Sequence, residues 1–301
     1  MISFFIINFQ TLILIKWILN VNDGMMGISS TPACVHGTGG QKTEKTGMLV
    51  KSKTIGSGRP LLCVPVTSES TSGVVESIER LVKKRVDAIE WRVDCYAKSS
   101  NLQMVTTILQ EVSGLLQNTI LIFTYRTRAE GGMGDADAAE YETLLLTAAR
   151  TGVPDFVDLE FARLGDLPML LSTLRGSGVR VIASYHNFET TPSAAQMSKK
   201  LKEMYTAGAD IAKIAVMPER FSDVCDLMKV SEAASAGWSD RALIAIAMGQ
   251  LGAITRLTGE ITGSCLTFVT DGPASAPGQM SYEKVRRAVE EIHACITEGN
   301  R

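Results

Sequence analysis

The chain has 301 residues, 45% of them hydrophobic and 21% charged, with a formal net charge of -2. That length can bury a full core, and a near-neutral balance without a basic stripe argues against a nucleic-acid partner. Six cysteines, at 34, 63, 95, 225, 265 and 295, stand singly with no CxxC pair and no metal-ligand spacing. They read as small hydrophobes or free thiols in a reducing compartment, so a cytoplasmic protein acting on a small molecule is expected.

The first twenty residues, MISFFIINFQTLILIKWILN, are apolar and reach the ~20 residues that a membrane span needs. No Lys or Arg precedes Lys16, no small-residue cleavage site follows, and Asn8, Gln10 and Lys16 interrupt the run. Neither a signal peptide nor a stable membrane anchor is favoured. Residues 1–46 are expected to be a disordered extension or the product of a misassigned start, with Met25, Met26 and Met48 as alternative starts. Residues 28–47, rich in Gly, Ser, Thr and Lys, have the composition of a linker. Residues 47–301 are expected to form one catalytic domain.

MLVKSKTIGSGRP, residues 48–60, predicts a short hairpin at the start of that domain. From residue 61 onward, β-like runs alternate with helix-period segments, the pattern of βα units around a parallel sheet. The runs are LLCVPVT (61–67), DAIEWRV (87–93), TILIFTY (119–125), DFVDLE (155–160), VRVIASY (179–185), DIAKIAV (210–216), ALIAIAM (242–248) and CLTFV (265–269). Helix candidates between and after them include 72–85, 137–152, 191–208 and 281–296, with Asp, Ser or Thr at several starts and Gly152 and Gly208 at two ends. Eight such units in about 240 residues predict a (β/α)8 TIM barrel of the α/β class, its N-terminal hairpin closing the bottom. An open doubly wound sheet fits less well, because the first βα turn, TSESTSG, has no GxGxxG.

Alternate residues of a barrel strand face inward. That parity puts Glu90, Arg92 and Asp94 on one face, Arg126 with Ile122 and Thr124, Asp158 and Glu160 with Phe156, His186 with Ser184, and Lys213 with Ile211 and Ala215. A single strand-end charge often just meets solvent. Charges from five strands gathered at one end must be mutually paired, and that end of the barrel is where its active sites lie.

Lys213 stands inside IAKIAV, among groups that cannot solvate an ammonium, and desolvation favours the free amine that attacks a carbonyl to give a Schiff base. A lysine merely paired with Glu90, Asp158 or Glu160 is the other reading. An iminium acidifies the adjacent carbon, and His186, with a reference pKa near ~6.5, suits the proton transfer; alone, it reads equally as a turn residue. Arg92, Arg126 and Arg256 suggest an anionic or hydroxyl-rich substrate. The loop SAPGQ, Ser275 to Gln279, is a candidate lid with hydroxyl and amide groups.

EWR (90–92), FTYRTRAEGG (123–132), VDLE (157–160), SYHNFETTP (184–192), DIAKIA (210–215), AMGQLGAITR (247–256) and SAPGQ (275–279) occur in this order. On these motifs, from about residue 47 to 296, the chain resembles the type I 3-dehydroquinate dehydratases of the shikimate pathway. The resemblance implies a lyase that converts 3-dehydroquinate to 3-dehydroshikimate by syn elimination, with no metal or organic cofactor, in a homodimer. It implies an imine on Lys213, His186 as general base and acid, and Glu130 orienting His186. It further implies Arg256 on the substrate carboxylate, Glu90, Arg92, Arg126, Ser275 and Gln279 on hydroxyls or carboxylate, Met248 beside the imine and Asp158 in support. Pro65 stands where some members have serine, which puts one minor hydroxyl contact in doubt.

Two alternatives from other classes are a class I aldolase-like Schiff-base enzyme and a non-catalytic ligand-binding barrel. Phosphorylated aldolase substrates would call for a Gly-rich phosphate site after the last two strands, where this chain has MGQLG and SAPGQ. A metal-dependent barrel built on Glu90, Asp158, Glu160 and His186 is disfavoured because Lys213 and the arginines would repel the cation.

Overall fold

The computed structural model describes residues 47–161, 167–238, 240–272 and 274–298; the expectations for residues 1–46 lie outside the described residues. An antiparallel hairpin, β1 (Met48–Val50) and β2 (Lys53–Ile55), precedes eight parallel strands. These are β3 (Leu61–Val66), β4 (Ala88–Arg92), β5 (Ile120–Thr124), β6 (Phe156–Glu160), β7 (Arg180–Asn187), β8 (Ile211–Val216), β9 (Ala242–Ala247) and β10 (Leu266–Phe268). Their spatial order is β10-β3-β4-β5-β6-β7-β8-β9. A bridge between Leu243 and Ser264, with Cys265 N donating to Leu243 O at 2.7 Å, brings the ends together into a nearly closed barrel. All eight expected strands are present. The fifth run, expected to stop at Tyr185, continues to Asn187 because its ladder with β8 extends to the pairs His186↔Ala215 and Asn187↔Val216.

The helices are α1 (Thr71–Lys83), α2 (Leu102–Ser113), α3 (Ala138–Arg150), α4 (Leu167–Gly176), α5 (Ala194–Thr206), α6 (Phe221–Gly237), the short α7 (Gly259–Thr262) and α8 (Tyr282–Glu298). Several of their starts are fixed by side chains that accept otherwise orphaned backbone N–H groups: Ser70 from Gly73, Asn101 from Met104, and capping boxes at Asp137/Glu140 and Ser193/Gln196. Gly152 and Gly208 follow α3 and α5 with φ of 67° and 104°, the left-handed turn that ends a helix. Among the described residues no helix is long and apolar enough to cross a membrane.

Strand alternation divides the core. Leu62, Val64, Ile89, Trp91, Leu121 and Phe123 face outward and pack with Val74, Ile78, Val105, Ile108 and Tyr141 of the helices. Cys63, Ala88, Ile120, Phe156, Ile182 and Ile244 face inward and form one cluster with Val50 and Ile55 of the hairpin, so β1 and β2 close the N-terminal end as expected. Asp87 ties the hairpin down: it takes Arg59 Nη1 at 2.9 Å, Lys53 Nζ at 3.2 Å and the amide of Leu62 at 3.1 Å. With that end closed by hydrocarbon, the opposite end holds the inward-facing charges.

Candidate active site

Lys213, the third residue of β8, is 4% exposed, and its ammonium donates to Asp158 Oδ2 at 3.0 Å, lies 3.8 Å from Glu90 Oε1, and stands 4.4 Å from the centre of the Phe268 ring. The lysine is therefore both paired and pocket-facing, combining the two readings of its sequence setting. Thr124 at the end of β5 fixes Glu90 by donating to Oε1 at 2.9 Å.

Arg126, two residues past β5, is the hub. Its guanidinium reaches Asp158 Oδ1 at 2.7 Å, Glu160 Oε1 at 3.2 Å, Glu130 Oε2 at 3.3 Å and Ser184 Oγ at 2.9 Å. Ser184 in turn donates to Asp158 at 2.6 Å, and Thr127 gives Glu160 both its amide and its hydroxyl at 2.7 Å. The buried charges are mutually satisfied, as burial demands. Arg126, expected to hold substrate, spends most of its donors on this network and presents the remainder to the pocket.

His186, near the end of β7, bonds through Nδ1 to Glu130 Oε2 at 2.8 Å, and Phe188 stacks beside the imidazole with ring centres 6.4 Å apart. Glu130 belongs to a 3-10 turn, Arg128–Glu130, closed by Gly131 at φ 79°. The turn is tight: a Cβ at Gly131 would meet the Phe188 ring at 2.3 Å, and one at Gly132 would meet the Arg126 carbonyl at 2.1 Å. Glycine is required at both positions for Glu130 to reach the histidine.

These surroundings set the protonation states. Burial, then the Arg126 and Lys213 charges, hold the His186 imidazole well below its ordinary value. Burial pushes Glu130 up to about 8, the neighbouring Glu160 and Asp158 carboxylates adding to it and Arg126 opposing. Burial alone would raise Asp158, but Arg126 and Lys213 hold it well below the usual carboxylate range.

Arg256 ends a 3-10 segment, Leu251–Arg256, that follows β9. It is 2% exposed and donates to two carbonyls, Phe268 O at 3.2 Å and Pro277 O at 3.0 Å, while its buried Nε has no hydrogen-bond partner among the described residues. No carboxylate lies within ion-pair distance of it among the described residues, and burial pulls its pKa down to about 10. An uncompensated buried cation is costly, and an anion entering the pocket could offset that cost. The 275–279 loop folds against it: Gly278 packs so closely on Gly249 that a Cβ would come within 2.3 Å of the Gly249 carbonyl. Ser275 N donates to Gln279 Oε1 at 2.9 Å, and Gln279 Nε2 to Ser275 Oγ at 2.9 Å.

Glu90, Arg92, Arg126, Glu130, His186, Lys213, Met248, Arg256, Ser275 and Gln279 line one open pocket; Asp158 lies just behind Lys213. Ala215, which strand parity places on the face of Lys213, also lines it, as do Phe188, Phe268 and Ile246, apolar residues that carry no chemical signal in the sequence. Asp94 is not a strand residue. β4 ends at Arg92, and the 3-10 turn Val93–Cys95 swings its carboxylate back onto Arg92. The arrangement offers an amine for a carbonyl, a base oriented by a carboxyl group, and a cation for an anion, within one cavity.

The family model for type I 3-dehydroquinase matches residues 62–295. A 3-dehydroquinate dehydratase of Bacillus licheniformis is 36% identical over 245 residues, covering 81% of this chain and 96% of that protein. One of Klebsiella pneumoniae is 36% identical over 242 residues, covering 80% and 96%. Among solved structures, a type I 3-dehydroquinate dehydratase of Clostridium difficile with covalent modified comenic acid aligns with a TM-score of 0.79 at 33% identity, covering 82% of this chain and 98% of that one. A 3-dehydroquinate dehydratase of Geobacillus kaustophilus aligns with a TM-score of 0.79 at 31% identity, covering 82% and 96%.

Proposed function

The chain belongs to the type I 3-dehydroquinase family, and on that premise we propose that it is the lyase that dehydrates 3-dehydroquinate to 3-dehydroshikimate, by syn elimination through an imine on Lys213. The observation that carries the reading is the meeting in one pocket of Lys213, the His186–Glu130 pair and an Arg256 without a carboxylate partner among the described residues. A relative's structure with covalent modified comenic acid is in keeping with a covalent route.

Lys213 Nζ adds to the C3 ketone and water leaves, giving an iminium that draws electrons from C2. His186 removes the C2 proton, and the resulting enamine expels the C1 hydroxyl as His186 returns that proton to it; water then hydrolyses the imine and frees Lys213. One imidazole serving both transfers places both departures on one ring face, which is a syn elimination. Glu130 orients the imidazole, and Asp158, the acceptor of the Lys213 hydrogen bond, steadies the amine. Arg256 takes the C1 carboxylate, and Glu90, Arg92, Arg126, Ser275 and Gln279 take the ring hydroxyls or carboxylate, with Met248 packed beside the imine. The route uses no metal or organic cofactor. A homodimer in the cytoplasm completes the reading.

Incubation with 3-dehydroquinate and borohydride, followed by peptide mass spectrometry, tests it. A reduced adduct on Lys213 together with turnover to 3-dehydroshikimate is the expected result. Folded protein that turns the substrate over without any adduct removes the imine, and folded protein without turnover removes the dehydratase reading.

A further inference from the structure

One buried carboxylate near the pocket has no part in the proposed elimination, yet it touches two groups that do. Asp94 is 7% exposed as a residue, with its side chain fully covered. Its Oδ1 accepts from Arg92 Nε at 2.9 Å and from the Arg126 amide at 3.1 Å; its Oδ2 accepts from Arg92 Nη2 at 2.7 Å and from the Met133 amide at 3.0 Å. A sulfur contact from Cys95 at 3.8 Å completes the set. The two backbone donors are the two legs of the turn that carries Glu130, which is further closed by Gly134 N to Arg126 O at 3.0 Å and Gly132 N to Thr127 O at 2.8 Å.

We infer that Asp94 is a positioning residue that sets the separation between the substrate-binding Arg92 and the turn presenting Glu130 to His186. The inference rests on the dehydratase reading. Arg92 has no other carboxylate within ion-pair distance among the described residues, so its fork is aimed by this contact. Glu130 stands at the apex of a turn whose two legs are pinned by the same two oxygens. Both oxygens must accept, since each faces one guanidinium N–H and one backbone N–H. An asparagine cannot replace it: in either amide orientation its NH2 group meets two donors head-on.

The test compares Asp94→Asn, Arg92→Ala and the double variant with wild type by steady-state kinetics and a pH profile. Asp87→Asn, which alters a buried carboxylate at the closed end of the barrel, serves as the stability control. All are assayed at a temperature where circular dichroism shows each to be folded. Wild-type turnover comes first, because its absence would strike at the dehydratase reading rather than at this inference. Asp94→Asn is expected to raise KM and lower kcat, each by roughly tenfold, the scale on which misplaced groups act, and to move the pH midpoint of kcat/KM set by the His186–Glu130 pair. In the Arg92→Ala background the KM effect of Asp94→Asn should vanish while the kcat effect persists. Asp87→Asn should lower the melting temperature and leave both constants alone. If Asp94→Asn resembles Asp87→Asn, or its KM effect adds in full to that of Arg92→Ala, the positioning role is overturned.

Discussion

His186 Nδ1 stands 2.8 Å from Glu130 Oε2, although β7 supplies the first and a turn beyond β5 the second. This contact decides which imidazole nitrogen is free for chemistry. With the imidazole held neutral and Glu130 pushed up to about 8, the pair keeps a proton between the two groups at neutral pH, and its ionisation belongs to the pair rather than to one member. While that proton is present, Nδ1 accepts from the carboxylic acid and the ring proton is driven to Nε2, or the ring is an imidazolium. In neither state is Nε2 a base. Once the proton leaves, Nδ1–H donates to the Glu130 carboxylate and Nε2 is free.

The free-enzyme parameter kcat/KM should therefore climb as pH rises through about 8 and level above it. Glu130→Gln should lose that limb, because glutamine has no proton to give up. Its plateau should fall by roughly 10²-fold, since the imidazolium formed in the reaction loses its counter-charge. A pH-rate profile of both proteins checks this, and a Glu130→Gln profile that keeps the wild-type limb would remove Glu130 from the pair.

Lys213→Met should abolish the borohydride adduct and lower kcat by roughly 10⁴-fold, the scale lost when a covalent route is removed. It should also change acid stability. The folded Asp158 pKa lies below its ordinary value of 3.8, so its contribution to stability is present above that value and lost as pH falls toward the folded one. Removing the Lys213 cation moves the folded pKa up. The acid-unfolding midpoint of the variant should accordingly lie at higher pH than that of wild type, as read by circular dichroism.

Arg256 sets function against stability. Among the described residues no carboxylate pairs with its buried cation, and burial draws its pKa down to about 10. Arg256→Met should remove that cost while leaving the carbonyls of Phe268 and Pro277 short of a donor, for a net gain of about 1 kcal/mol in denaturant unfolding. The same change should raise KM by roughly 10²-fold, the loss expected when one partner of a buried charge pair is deleted. A variant that is less stable with unchanged KM would make Arg256 a structural residue.

Much of this was legible in the sequence because strand parity is a strict rule. Once IAKIAV, FVDLE and AIEWR are strands, Lys213, Asp158 and Glu90 must share the inward face, and the inner and outer clusters follow that alternation. The readings weakened where the chain left the strands. Glu130 and Asp94 lie on 3-10 turns, which have no parity to read, so resemblance alone pointed to Glu130 and period two put Asp94 on a strand that had already ended. The stacking of Phe188 on His186 depends on the close approach of Gly131, a long-range contact that local pattern does not encode. Arg256 stands out in the sequence by its type alone; that no carboxylate among the described residues pairs with it emerges only when the surrounding elements are in place.

At the closed end of the barrel, Asp87 links hairpin to strands through Arg59, Lys53 and the Leu62 amide. Burial would raise its pKa, but Arg59, the Leu62 amide and Lys53 bring it below the ordinary 3.8. Its contribution is thus present above that pH and fades as pH falls through the folded value. Asp87→Asn keeps one acceptor and loses the charge, and because Arg59 and Lys53 are partly exposed the cost at neutral pH should be about 1–3 kcal/mol rather than that of a fully buried pair. Urea unfolding at descending pH should show the gap between wild type and variant closing as the wild-type carboxylate takes up its proton. A gap independent of pH would mean that the variant suffers from misfit rather than from the lost charge, and would displace the ion pairs as the hairpin's anchor.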